Sequence, residues 1–252
     1  TPILGWSDLG NTPDKVRYGG AMTTDGVDLY AFRGAGTETF WRFDVSGGTW
    51  SALANAPEDV TGGGAMIYAG GSIYAFRGAS EKDFWRYDVS GGSWQELSNA
   101  PEEFQWGGAL TWDGSDTIYA LRGKRKEDFW KYSISSDSWT ELQDAPSNIQ
   151  KGGSLVYVNG EIYAFRGDNK DDFWKYSVAG DSWTSLPDTP EIVEEGGSLA
   201  WTGGDYIYAL RGDNTKEFWR YRISTNQWEQ LDNTPENVDD GGALVYLDGA
   251  LY

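Results

Sequence analysis

Apolar positions along the chain come in short bursts with no helical rhythm. Residues 152–190 read "GGSLVYVNGEIYAFRGDNKDDFWKYSVAGDSWTSLPDTP". "SLVYV" and "EIYAF" are aromatic and β-branched runs separated by "NG", the strongest short hairpin signal. "DFWKYSV" follows a polar loop, and "SWTSL" follows the turn cluster "AGD". The stretch predicts four strands joined by turns. In "FWKYSV" neither alternate set of residues is purely polar, so this strand expects apolar neighbours on both faces. A sheet buried on both sides must be sandwiched between other sheets.

The pattern repeats. Glycine pairs open an apolar run at 19–20, 63–64, 107–108, 152–153, 196–197 and 241–242. Tryptophans that open the fourth predicted strand stand at 6, 50, 94, 139, 183 and 228, and arginines after the second at 33, 77, 122, 166 and 211. Every series has a period of 44 or 45 residues. Six copies of one four-stranded unit therefore span a single domain, residues 1–252, as a repeat array. Radial packing of such units gives an all-β β-propeller of four-stranded antiparallel blades, six of them on the repeat count. The chain opens on a strand four at "GWSDL" and stops within a strand two at "ALY". A terminal blade shared by the N- and C-terminal segments follows, which would also protect exposed strand edges.

The order of glycine pair, "IYAFRG", "FWKY" and "SW..L" resembles the kelch repeat of the galactose oxidase and kelch propellers. Their tyrosine-aspartate pair ahead of a tryptophan is matched by Asp44 with Trp50 and by Asp88 with Trp94. The pattern departs at the family's double glycine after strand two, where this chain has Arg-Gly. The resemblance implies the propeller fold. Function it leaves open, because the same fold hosts adaptors, lectin-like binders and enzymes.

Composition narrows the choice. With 39 acidic against 20 basic residues the net charge is −19, which repels phosphate backbones and anionic lipid. No nucleic-acid partner and no membrane insertion are expected, and no apolar run has transmembrane length. Such acidity suits an extracellular or cell-surface setting. His and Cys are both absent, which removes the commonest general base, the commonest transition-metal ligand and thiol chemistry. A copper-radical oxidase of the galactose oxidase kind needs histidine ligands and a cysteine-modified tyrosine, so the resemblance does not extend to that activity.

Within a repeat protein, a site for one asymmetric ligand should sit where the copies differ. The loops between strands two and three, and those leading from strand four into the next unit, are expected on one face. There the residues just ahead of the glycine pair are among the least alike: Arg17-Tyr18, Thr61-Gly62, Gln105-Trp106, Gln150-Lys151, Glu194-Glu195 and Asp239-Asp240. The candidate ligand-binding residues are Arg17, Tyr18, Gln105, Trp106, Gln150, Lys151, Glu194, Glu195, Asp239 and Asp240, ringing the mouth of the central channel. Trp106 alone among the 14 tryptophans lies outside the repeat-defined slots. It would stack on a sugar, anchor a protein loop, or pack against its neighbours.

Charge on that face is lopsided. Arg17, Lys124, Arg125, Lys126 and Lys151 come from earlier repeats; Asp168, Glu194, Glu195, Asp213, Asp239 and Asp240 come from later ones. Two readings stand, a polarised recognition surface or solvated loops under a general acidic bias. No cofactor is expected; Glu194-Glu195 and Asp239-Asp240 offer oxygen ligands for Ca²⁺, without the alternating spacing of a calcium loop.

The arginines recur in every copy that reaches their position, as a fold element would. Asp83, Asp128, Asp172 and Glu217 each stand six residues after one of them. A charge-assisted bond to that acid, with further bonds to backbone carbonyls, is expected to close the loop. A symmetric anion-binding ring is the alternative.

These features point to a non-catalytic binding propeller that recognises a protein or a glycan. A saccharide-active enzyme of the kelch or sialidase-like kind, its carboxylates converging with an arginine, is the second reading. A structural module of a surface layer or filament is the third.

Overall fold

The computed structural model describes residues 5–252, so the first four positions of the expected domain lie outside it. It is an all-β propeller. The first blade runs β1 (Ala21–Thr24), β2 (Leu29–Phe32), β3 (Phe40–Asp44) and β4 (Thr49–Ala52), hydrogen-bonded antiparallel in that order. Four more blades repeat it: β5 (Ala65–Ala69) to β8 (Ser93–Glu96), β9 (Ala109–Trp112) to β12 (Ser138–Glu141), β13 (Ser154–Val158) to β16 (Ser182–Ser185), and β17 (Ser198–Trp201) to β20 (Gln227–Gln230). The "NG" turn joins β13 to β14 (Glu161–Phe165) with Asn159 at φ 49° and Gly160 at φ 90°, so Val158 pairs with Glu161. Two successive positive φ values are what a type I′ hairpin demands.

Burial follows the sandwich logic. The second strands are almost wholly buried, as in "LYAF" of β2, and the third strands bury Phe, Trp and an aromatic in each copy. The fourth strands are exposed apart from one half-buried tryptophan. That tryptophan staples neighbouring blades. Trp94 donates to the Ala54 carbonyl of the preceding blade at 3.0 Å, and Trp139, Trp183 and Trp228 do the same to Ser98, Gln143 and Pro187.

Among the described residues five complete blades are present, not the six expected from the repeat count. The sixth position holds only a hairpin, β21 (Tyr246–Leu247) with β22 (Ala250–Leu251). Residues 241–252 correspond to a glycine pair, a strand one and the start of a strand two of the repeat. Trp6 does pack at this position, its ring 5.1 Å edge-to-face from Phe218 and its indole N–H directed at the Asp232 carbonyl. Residues around it form no strand, so the terminal blade is shared in packing and not in strand pairing.

The ring closes nonetheless. At each first glycine of a pair φ lies between 78° and 95°, and a Cβ there would strike the backbone of the next repeat. Gly63 faces Gln105, Gly107 faces Gln150, and Gly241 faces Arg17, whose carbonyl oxygen would be 2.6 Å from that Cβ. Only glycine allows so tight an approach around the axis.

Candidate functional site

Each residue before a glycine pair is held by a four-residue turn. Gly20 N–H donates to the Arg17 carbonyl at 2.7 Å, and Gly64, Gly108, Gly153, Gly197 and Gly242 bond equivalently to Thr61, Gln105, Gln150, Glu194 and Asp239. Positive φ at the third residue makes this a type II geometry, which requires glycine there. The second residue, the variable one, is left to line the mouth of the channel. The loop after strand two braces the turn: the carbonyls of Arg33, Arg77, Arg166 and Arg211 accept from the backbone N–H of Arg17, Thr61, Gln150 and Glu194.

Five side chains, one each from five of the six turns, meet around a cavity of about 110 Å³: Tyr18, Trp106, Lys151, Glu195 and Asp240. The sixth turn carries Gly62, and its bare Cα lets the Trp106 indole lie across it. Trp106 thereby reaches Tyr18, with ring centroids 5.9 Å apart and tilted by 51°. On its other side stands the Lys151 ammonium, 4.8 Å from the ring centroid, within cation–π range. Lys151 also forms an ion pair with Glu195. The Glu195 and Asp240 carboxylates lie side by side, oxygens of the two within 4.8 Å, so that a proton held by one can bond to the other. The circuit is continuous and changes character around the axis, from aromatic through cationic to acidic.

Protonation follows from these contacts. The bond to Glu195, then burial, then the Glu195 charge push Asp240 up to about 6. Burial alone would raise Glu195, but the Asp240 and Lys151 partners outweigh it and hold its carboxyl below the usual range. Lys151, which burial alone would lower, is raised instead by Glu195 and the neighbouring carboxylates. Of the two acids, Asp240 is therefore the one that takes up a proton more readily.

The other five sequence candidates are not part of this lining. Gln150 accepts from Arg125 Nε at 2.8 Å, and Glu194 accepts from Asn169 at 2.7 Å. Arg17 is exposed, and Gln105 is half-buried outside the cavity. Asp239 is also exposed, although its carboxylate lies with those of Glu195 and Asp240 within 4.8 Å. Of the two acidic pairs, Glu194 is absent from that cluster, and the positive charge within it is the Lys151 ammonium. Several of the lopsided loop charges are paired locally, Lys124 with Glu103 and Asp213 with Arg211. Sequence reasoning missed Gly62; a small residue beside the one unslotted tryptophan was the available signal.

The arginines serve the scaffold. Arg122 donates through Nη1 to Asp128 at 3.0 Å and through Nε to the Glu103 carbonyl at 3.0 Å, with its side chain 11% exposed. Arg77 and Arg166 repeat the arrangement with Asp83 and Asp172, and Arg211 with Glu217. Arg33 differs. Without an acid at the matching position it pairs with Asp14 at 2.8 Å, and its buried Nε has no acceptor.

Comparison with known proteins agrees with this architecture. The Kelch motif matches residues 151–190, the fourth repeat. Among solved structures the fold is similar to that of YjhT, with a TM-score of 0.76 over 96% of this chain and 91% of that one. Identity is 14%, so this likeness concerns the fold alone. No curated protein matches the sequence. The chain is thus a β-propeller of four-stranded blades, one repeat of which matches the Kelch motif.

Proposed function

We propose that this propeller is a non-catalytic binding module that recognises a protein or a glycan at the mouth of its channel. One observation carries the reading: a repeat position among those where the copies differ most supplies Tyr18, Trp106, Lys151, Glu195 and Asp240 to one connected surface. Divergent side chains gathered in a shared cavity suit one asymmetric ligand. The cavity holds one projecting group, such as a terminal sugar or a side chain at a loop tip, with the rest of the partner outside. An aromatic shelf would take the apolar face of that group, and the acid pair with Lys151 its polar edge.

Saccharide hydrolysis is the second reading, and the raised Asp240 favours it as a proton donor. The spacing opposes it. Paired glycosidase carboxylates stand about 5 Å or more apart across the scissile bond, whereas oxygens of these two lie within 4.8 Å of each other.

The test is a glycan array and a panel of candidate protein ligands probed with the protein and with its Tyr18→Ala/Trp106→Ala variant. Binding by the parent, lost in a variant of near-parental melting temperature, supports the site. Equal binding by both would remove this face from consideration, and turnover of any arrayed glycan would favour the enzyme.

A further inference from the structure

The channel mouth holds an aromatic ring and an acid side by side twice, and Lys151 serves only one of the two pairs. On the first arc its ammonium stands 4.8 Å from the Trp106 ring centroid and forms an ion pair with Glu195. An aromatic face and a carboxylate are thus bridged by one cation. The second arc consists of Tyr18 and Asp240. Their turns are neighbours, since a Cβ at Gly241 would stand 2.6 Å from the Arg17 carbonyl oxygen, and both side chains line the same cavity. Among the described residues no ammonium or guanidinium lies over the Tyr18 ring. Tyr18 is 37% exposed, and Asp240 keeps a buried oxygen, Oδ1, without a hydrogen-bond partner.

Charge says what would bridge this second arc. Carboxylate oxygens of Glu195, Asp239 and Asp240 lie within 4.8 Å of one another, and Lys151 is the one basic residue lining the cavity. A sugar hydroxyl would donate to Asp240 Oδ1 but leave the excess negative charge uncompensated. A cationic donor does both. The chain as a whole carries −19, which draws basic partners and repels acidic ones. A lysine or arginine side chain also has the right division of character. Its apolar stem would lie along Tyr18 and Trp106 while its charged head reaches Asp240.

On the reading of the mouth as a binding site, we propose that its partner is a protein that inserts a lysine or arginine side chain between Tyr18 and Asp240, as Lys151 stands between Trp106 and Glu195. The rest of the partner's loop stays outside the cavity.

The probe is a capped peptide, acetyl-Gly-Ser-Arg-Ser-Gly-amide, compared with its lysine and citrulline analogues; citrulline keeps the shape of arginine and removes the charge. Binding is followed by the indole N–H signals of ¹⁵N-labelled protein, the Trp106 signal being assigned from Trp106→Phe. Saturable shifts of that signal are expected with the arginine and lysine peptides, and binding at least about tenfold weaker with citrulline. Tyr18→Leu and Asp240→Asn should each weaken binding of the charged peptides at least about threefold while melting cooperatively. Equal binding of the citrulline peptide would overturn the cationic partner and leave the mouth as a site for another ligand. So would a glycan that binds the parent but not the Tyr18→Ala/Trp106→Ala variant. Charged-peptide binding that survives in that double variant would remove the mouth itself. Absence of binding by both charged peptides, or binding unchanged in Tyr18→Leu and Asp240→Asn, would overturn the seat proposed for the side chain.

Discussion

The indole of Trp106 lies across the Cα of Gly62, so that a Cβ at position 62 would stand 2.8–3.0 Å from its ring atoms. Position 62 has an ordinary φ, and alanine is acceptable to its backbone. Gly62→Ala should therefore displace the ring from Tyr18 and alter the channel mouth, at a stability cost of about 1 kcal/mol or less. Its melting curve should stay close to the parent's, while affinity for any ligand found at the mouth falls. A stability loss as large as that of a core truncation would refute this division.

Arg122 and Arg33 occupy one repeat position and do different work. Arg122→Ala removes two charge-assisted bonds and strands the Asp128 carboxylate, a loss of about 2–3 kcal/mol. Arg33→Ala removes one ion pair, to an exposed Asp14, and relieves a buried unpaired Nε, so its loss should be clearly smaller. Urea denaturation of the two variants gives the comparison, and equal losses would contradict it.

Interblade stapling predicts a similar contrast. Trp139→Phe keeps most of the ring packing but loses the bond to the Ser98 carbonyl, at a cost of about 1 kcal/mol. Trp50→Phe forfeits no such bond among the described residues and should cost less. Thermal melts of the two proteins measure the difference directly.

Asp240 sets a pH dependence. Its folded value of about 6 exceeds its ordinary 3.8, so the folded state favours the protonated acid. That contribution to stability is complete below 3.8 and is lost as pH rises through about 6. Asp240→Asn keeps a donor toward Glu195 and cannot ionise. Its melting temperature relative to the parent should climb between those pH values and level off above them. Solvent screening keeps the gain within about 1 kcal/mol, or about 2–4 °C for a domain this size. A difference that stays flat with pH would mean that Asp240 is not the protonated member.

The fold was legible because the repeat spells its own strands. "NG", "AGD" and the glycine pairs mark the turns, and Phe-Trp marks the strand buried on both faces. Blade number was less legible, since counting glycine pairs counts first strands, whereas a complete blade also needs strands three and four. The variable pairs located the channel mouth. They could not say which member of each pair faces the axis, because that depends on the turn type: the second residue projects and the first is turned away. Nor does sequence order reveal that Tyr18 and Trp106, two repeats apart, meet over a glycine.

The glycine pairs that pull the blades together leave one position per repeat facing the axis, and each of these stands on its own turn. On the proposed reading, recognition and folding are written at different addresses. Positions 18, 62, 106, 151, 195 and 240 form a six-letter word that could be respelled for another ligand while the glycines, the stapling tryptophans and the arginine braces stay as they are.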